Sequence, residues 1–120
     1  MSEKEDLIFL EHILEAIEKI NKYLEKVDYK KFMENEVIQD AISRRLEIIG
    51  EATKLISKNL KKIFSEIPWK DIAGMRDKLI HGYFIVDLDE VWNTSKRDIP
   101  KLREDIKNII SQIEIKENKD

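Results

Sequence analysis

Apolar residues recur along this chain at spacings of three and four, not two. Leu10, Ile13, Leu14, Ile17, Ile20 and Leu24 share one side of a 3.6-residue period. That pattern predicts an amphipathic helix beginning near Ser2 or Asp6 and running to about Val27. Glu3, Glu5 and Asp6 crowd its first turn, where the helix dipole favours negative charge. Asp28 is placed to cap a short second helix from Tyr29 to about Glu34. A longer stripe follows. Ile38, Ile42, Leu46, Ile49, Thr53, Ile56, Leu60 and Ile63 step by three or four throughout and predict one helix over roughly 36–63, suited to bundle packing. Gly50 interrupts it at a cost of about 1 kcal/mol relative to Ala. It is either a tolerated defect or the mark of a close approach by another helix or a site.

Pro68 punctuates the chain, and Trp69 to about Ile80 reads as a short helix with Gly82 as its stop signal. Asp87 or Asp89 opens a last helix reaching about Ile115, with Leu88, Val91, Trp92, Ile99, Leu102, Ile106, Ile109 and Ile113 as its stripe. Pro100 should kink or split it. The polar end, 116–120, is expected to fray. These elements make an all-α, antiparallel bundle of four to five helices in a single domain over 1–120. The two long amphipathic helices carry more apolar surface than one small bundle covers, which favours a dimer.

Composition narrows the function classes. The three Gly and two Pro are too few for a fold of many short strands. With no Cys, disulfides, thiolate metal sites and Cys nucleophiles are excluded, and a reducing cytoplasm suits the chain. The polar, acidic N-terminus is unlike a signal peptide, and no apolar run approaches a membrane span. The net charge of −3 argues mildly against nucleic acid, so an RNA site must be a local patch, assembled from one subunit or two.

Of the two His, His12 lies alone on the first helix and reads as structural or solvated. His81 sits in Met75-Arg76-Asp77-Lys78-Leu79-Ile80-His81-Gly82-Tyr83-Phe84, where a cation, a carboxylate, an imidazole and a phenol fall together at a helix end. Asp77 and His81 are four apart and would share a helix face, letting Asp77 fix the imidazole tautomer. Arg76 and His81 are five apart, about 140° around an ideal helix. They converge on one ligand if the last turn loosens or if each meets a second subunit. These types suit RNA cleavage: His can take the ribose 2′-OH proton or protonate the leaving 5′ oxygen, and Arg can hold the scissile phosphate. The plain alternative is surface charge with His81 as a capping residue. No metal-ligand cluster and no Gly-rich phosphate loop appears, so no cofactor is expected. On the long helix Arg44, Glu47 and Glu51 share one side as an ion-pair row, with Glu51 a candidate for orienting Arg76. Trp69 and Trp92 read as core or interface anchors.

The motif Arg76-x4-His81-x-Tyr83 resembles the signature of HepT-like toxins in the HEPN superfamily. The likeness extends to Ile49-Gly50-Glu51-Ala52, to Pro68-Trp69-Lys70-Asp71-Ile72-Ala73-Gly74-Met75-Arg76, and to Tyr83-Phe84, Asp87, Val91-Trp92 and Asp98-Ile99-Pro100-Lys101-Leu102. It covers roughly residues 5–115 in order and spacing. The resemblance implies a helical homodimer with an RNase site at the subunit interface and Arg76 and His81 as its catalytic pair. It also implies the toxin half of a type VII toxin–antitoxin system, whose partner is a minimal nucleotidyltransferase of the MntA type that transfers AMP to Tyr83. A different reading is a non-catalytic nucleotide-binding or adaptor partner of such a transferase, which would bind it and leave RNA uncut.

Overall fold

The computed structural model describes residues 3–81 and 85–118, with the backbone alone for Ile80, His81 and Ile85. Helix α1, Glu3–Tyr23, turns its Leu10, Ile13, Ala16, Ile17 and Ile20 inward. Lys26, at φ 61°, turns the chain after it. As expected, Asp28 caps α2, Tyr29–Glu34, accepting from the Lys31 amide at 2.8 Å. Asn35 caps α3, Glu36–Leu55, by accepting from the Ile38 amide at 3.0 Å.

The single helix expected over 36–63 is in fact two. After α3 the chain breaks at Ile56, and α4 covers Lys58–Ile63. The cause is long-range. Asp6 of α1 is buried, and its carboxylate accepts from the Ser57 amide at 2.8 Å and the Ser57 hydroxyl at 2.6 Å. Ser57 in turn caps α4 through the Leu60 amide. A charge-assisted pair of hydrogen bonds at one residue outweighs continuation of the helix there. The apolar stripe still continues across the break to Leu60, but Ile63 is exposed.

The helix expected from Trp69 to Ile80 is likewise divided. Helices α5, Trp69–Ala73, and α6, Met75–Leu79, meet at Gly74. The chain then leaves the helix for β1, Ile80–His81, which pairs antiparallel with β2, Ile85–Val86. Residues 82–84, including the expected stop at Gly82, lie outside the described residues. Helix α7, Leu88–Asn93, is capped by Asp87. A π-helical turn, Thr94–Asp98, joins it to α8, Ile99–Asn118. Pro100 has no N–H to give the carbonyl four residues back, and the Ile99 amide reaches Thr94 instead. The split expected at Pro100 therefore takes the form of a π turn just before it. Residues 116–118, expected to fray, complete α8, and Lys116 meets Glu3 at 3.0 Å.

Helices α1, α3 and α8 form the core, and α5, α6 and α7 pack on the α3 side. Leu10, Ile13, Ile17, Leu46, Ile49, Ile106 and Ile109 are all essentially sealed from solvent. Each such side chain contributes about 1.5–3 kcal/mol. No helix among the described residues is long and apolar enough to cross a membrane.

Candidate active site

The site segment is mounted on α3 through Gly50. A Cβ at that position would lie 3.3 Å from the Ala73 carbonyl oxygen and 3.4 Å from that of Ile72. Gly50 is therefore the close approach that its place in the stripe allowed: it lets the C-terminal carbonyls of α5 rest on the α3 backbone. Buried Trp69, Ile72, Met75 and Leu79 complete the attachment. Trp69 also donates its indole N–H to the Phe64 carbonyl at 3.0 Å, which makes it a core anchor.

Helix α6 presents Arg76 back toward α3. Arg76 Nε lies 3.7 Å from Glu47 Oε2, and Nη1 lies 3.5 Å from Asp77 Oδ1. The same Glu47 oxygen is 4.0 Å from Arg44 Nη1. One carboxylate thus stands between two guanidiniums. Arg76 remains 46% exposed, so its fork can still take up an anion.

Two expectations about neighbours change. Asp77 and His81 do not share a helix face, because α6 ends at Leu79 and His81 belongs to β1. The Leu79 carbonyl, left without a helical donor, accepts from the Asp87 amide at 2.8 Å. Asp77 instead pairs with Arg76. Glu51 is not a described partner of Arg76 either; it pairs with Lys54 at 3.3 Å. The missed residue is Glu47. Its signal was Gly50: on an ideal helix Glu47 lies about 60° from Gly50 and Glu51 about 100°, so the helix resting at Gly50 meets Glu47 first.

The last turn does loosen, the first of the two routes by which Arg76 and His81 converge, and it does so at Ile80, ahead of Gly82. The His81 side chain and Tyr83 lie outside the described residues. His12 packs edge-on to Phe9, with ring centroids 6.5 Å apart, as a surface residue. Trp92 packs edge-on to Tyr29 and tilted against Phe32, with the Lys96 ammonium over its ring, as an anchor between α2 and α7. Among the described residues no three His, Asp or Glu side chains are grouped as metal ligands.

Next to β2 the surface mixes exposed apolar side chains with acidic ones. Met33 and Val86 are both exposed and line one cavity of about 440 Å³ with Leu88 and the acidic Glu34, Glu36 and Asp40. Val37, 79% exposed, stands in the neighbouring first turn of α3.

Residues 13–109 match the family model described as "Ribonuclease HepT-like". A Thermococcus cleftensis protein named "Probable ribonuclease HepT" is 47% identical over 95 residues, which cover 79% of this chain and 86% of its own. A Methanocaldococcus jannaschii protein whose name proposes an RNase is 42% identical over 117 residues, 98% of this chain and 97% of its own. Another from that archaeon, named for a gamma-glutamylcyclotransferase joined to a proposed RNase, is 44% identical over 115 residues. Those cover 96% of this chain and 52% of the larger protein. No solved structure matches the chain.

Proposed function

The chain belongs to the HepT-like ribonuclease family and is an enzyme of that class, and from this premise we propose that it is an endoribonuclease with Arg76 and His81 as its working pair. The observation that supports this most is the mounting of Arg76. Helix α6 holds it against Glu47, half open to solvent, and the chain then turns out of the helix so that His81 follows in a strand. A His81 imidazole takes the ribose 2′-OH proton, and the 2′ oxygen attacks the adjacent phosphorus. The bond to the 5′ oxygen breaks, and that oxygen takes a proton from the imidazolium of a second subunit. Arg76 carries the charge that builds on the non-bridging oxygens. The chain supplies one such His, so a homodimer supplies the pair. The exposed Met33, Val37 and Val86 beside the hairpin support a second copy there.

In the same reading the enzyme is a cytoplasmic toxin silenced by a minimal nucleotidyltransferase antitoxin. The Tyr83 hydroxyl attacks the α-phosphorus of ATP, loses its proton and releases pyrophosphate. Tyr83 follows Arg76 and His81 closely in the chain, so the AMP phosphate can pair with Arg76 and fill the substrate phosphate position. A Tyr83→Phe variant is expected to escape silencing; one that is still silenced by nucleotidyl transfer overturns this arm.

The chemistry is tested by the product ends. Cleavage of a synthetic single-stranded RNA should leave a 2′,3′-cyclic phosphate and a 5′-hydroxyl. Products ending in 3′-hydroxyl and 5′-phosphate would mean that water is the nucleophile, against the roles of His81 as base and of the 2′ oxygen as attacking group.

A further inference from the structure

The exposed side of α3 carries Arg44, Glu47, Glu51 and Lys54 in a row. Two of these, with Arg76 reaching over from α6, make a unit in which a single oxygen serves two guanidiniums. Glu47 Oε2 is 3.7 Å from Arg76 Nε and 4.0 Å from Arg44 Nη1. We propose that Arg44 and Arg76, held in register by Glu47, form a seat for two consecutive phosphates of one RNA strand. Arg44 takes the phosphate next to the one Arg76 holds for cleavage. The inference rests on the RNase reading and adds to it a binding residue, Arg44, and a positioning residue, Glu47.

Three features carry it. The first is availability. Arg44 is 66% exposed and has no ion pair but Glu47 among the described residues. The second is the looseness of the contacts. At 3.7 and 4.0 Å they are ion pairs without hydrogen-bond geometry. Such surface pairs contribute at most about 1 kcal/mol, whereas a guanidinium meets phosphate in two-point fashion. Phosphate can therefore join the carboxylate around each guanidinium, whose five donors the loose contacts to Glu47 leave largely free, without a large opposing term. The third is charge. The two guanidiniums stand against two carboxylates, Glu47 and the largely exposed Asp77, so the cluster beside the motif is locally balanced on a chain whose net charge is −3 and does not repel an incoming anion as the chain at large does. A lone phosphate would need only one of the arginines. Two guanidiniums one carboxylate apart match an anion with two charged groups in sequence, as an unpaired RNA strand presents them. Between substrates, Glu47 keeps the like charges apart and holds Arg76 toward α3.

Binding of a labelled single-stranded RNA to the full chain carrying His81→Ala, followed by anisotropy across a salt series, tests the seat. Each phosphate neutralised on a single strand contributes about 0.7 to the slope of log K against log salt. Adding Arg44→Ala should weaken binding several-fold and flatten the slope by about that amount. Adding Arg44→Lys should keep the slope, and Lys107→Ala, an exposed cation on α8, should leave it unchanged. In otherwise unsubstituted protein, Glu47→Gln should lower KM and kcat together, since RNA meets less repulsion but Arg76 is less firmly aimed. A merely structural Glu47 would not lower KM. An unchanged slope in Arg44→Ala, beside a flattened one in Arg76→Ala, overturns the seat and leaves the RNase reading standing. Absence of RNA binding in every variant also overturns the seat, and cleavage by the unsubstituted protein then decides the RNase reading separately.

Discussion

Along α1, α3 and α8, three helices of about twenty residues bury Ile or Leu at nearly every turn. From Trp69 to Val86 the described residues make two five-residue helices and two two-residue strands. The first region has the length and the continuous apolar face that let helices support one another. The second has neither. A five-residue helix is far below the length that stands alone in water, about 12–15 residues, and a lone two-stranded hairpin is marginal. The site segment keeps its shape because it leans on α3, through Gly50 and through buried Trp69, Ile72, Met75 and Leu79. The difference explains why charge sits where it does. The long helices put most of their carboxylates and amines in solvent, the buried Asp6 of α1 excepted, while the short α6 turns Arg76 toward a carboxylate of the scaffold.

That contrast can be broken most sharply at His81. His81→Ala should lower RNA cleavage by about 10²–10⁴-fold, the range for losing a general acid–base group, with no more than a small change in melting temperature. A large loss of stability instead would make His81 part of the scaffold. Leu10→Ala reverses the pattern. Its side chain is wholly buried between α1 and the rest of the core, so urea unfolding should show a loss of about 2–5 kcal/mol, while the folded fraction cleaves RNA normally.

Asp6→Ala probes the break between α3 and α4. It removes both acceptors of Ser57, and stability should fall by about 3 kcal/mol as buried charged hydrogen bonds are lost. Asp6→Asn, which keeps one acceptor, should fall less. Gly50→Val joins the two regions. A branched side chain there meets the Ile72 and Ala73 carbonyls, and overpacking should cost about 1–3 kcal/mol. Because it pushes α5 and α6 away from Glu47, cleavage by the folded protein should also drop. Undiminished cleavage would show that the mounting on α3 does not aim Arg76.

The long helices were legible in sequence because their burial is periodic, and Asp28 as a cap, with Asp87 as one of two candidates beside Asp89, because capping is local. The break at Ser57 was not, since it depends on Asp6, far away at the start of α1. Nor was the early end of α6, because the Leu79 carbonyl is satisfied by Asp87 across the hairpin and not by any neighbour in sequence. At the site, residue type made Arg76 and its motif a candidate beside the plain reading of surface charge, and the resemblance to HepT-like toxins singled it out. The choice between Glu47 and Glu51 was not legible, for both lie on the same side of α3 and only the approach of α5 and α6 distinguishes them. Gly50 carried that information in a form readable only once the helix resting on it was known.

The most direct test is to incubate total cellular RNA with the purified protein in EDTA, beside its His81→Ala variant, after intact mass has shown Tyr83 unmodified. Cleavage by the unsubstituted protein alone is the expected result and ties a metal-independent RNase to His81. Equal cleavage by both proteins, or none by either, would contradict the assignment of Arg76 and His81 as its working pair.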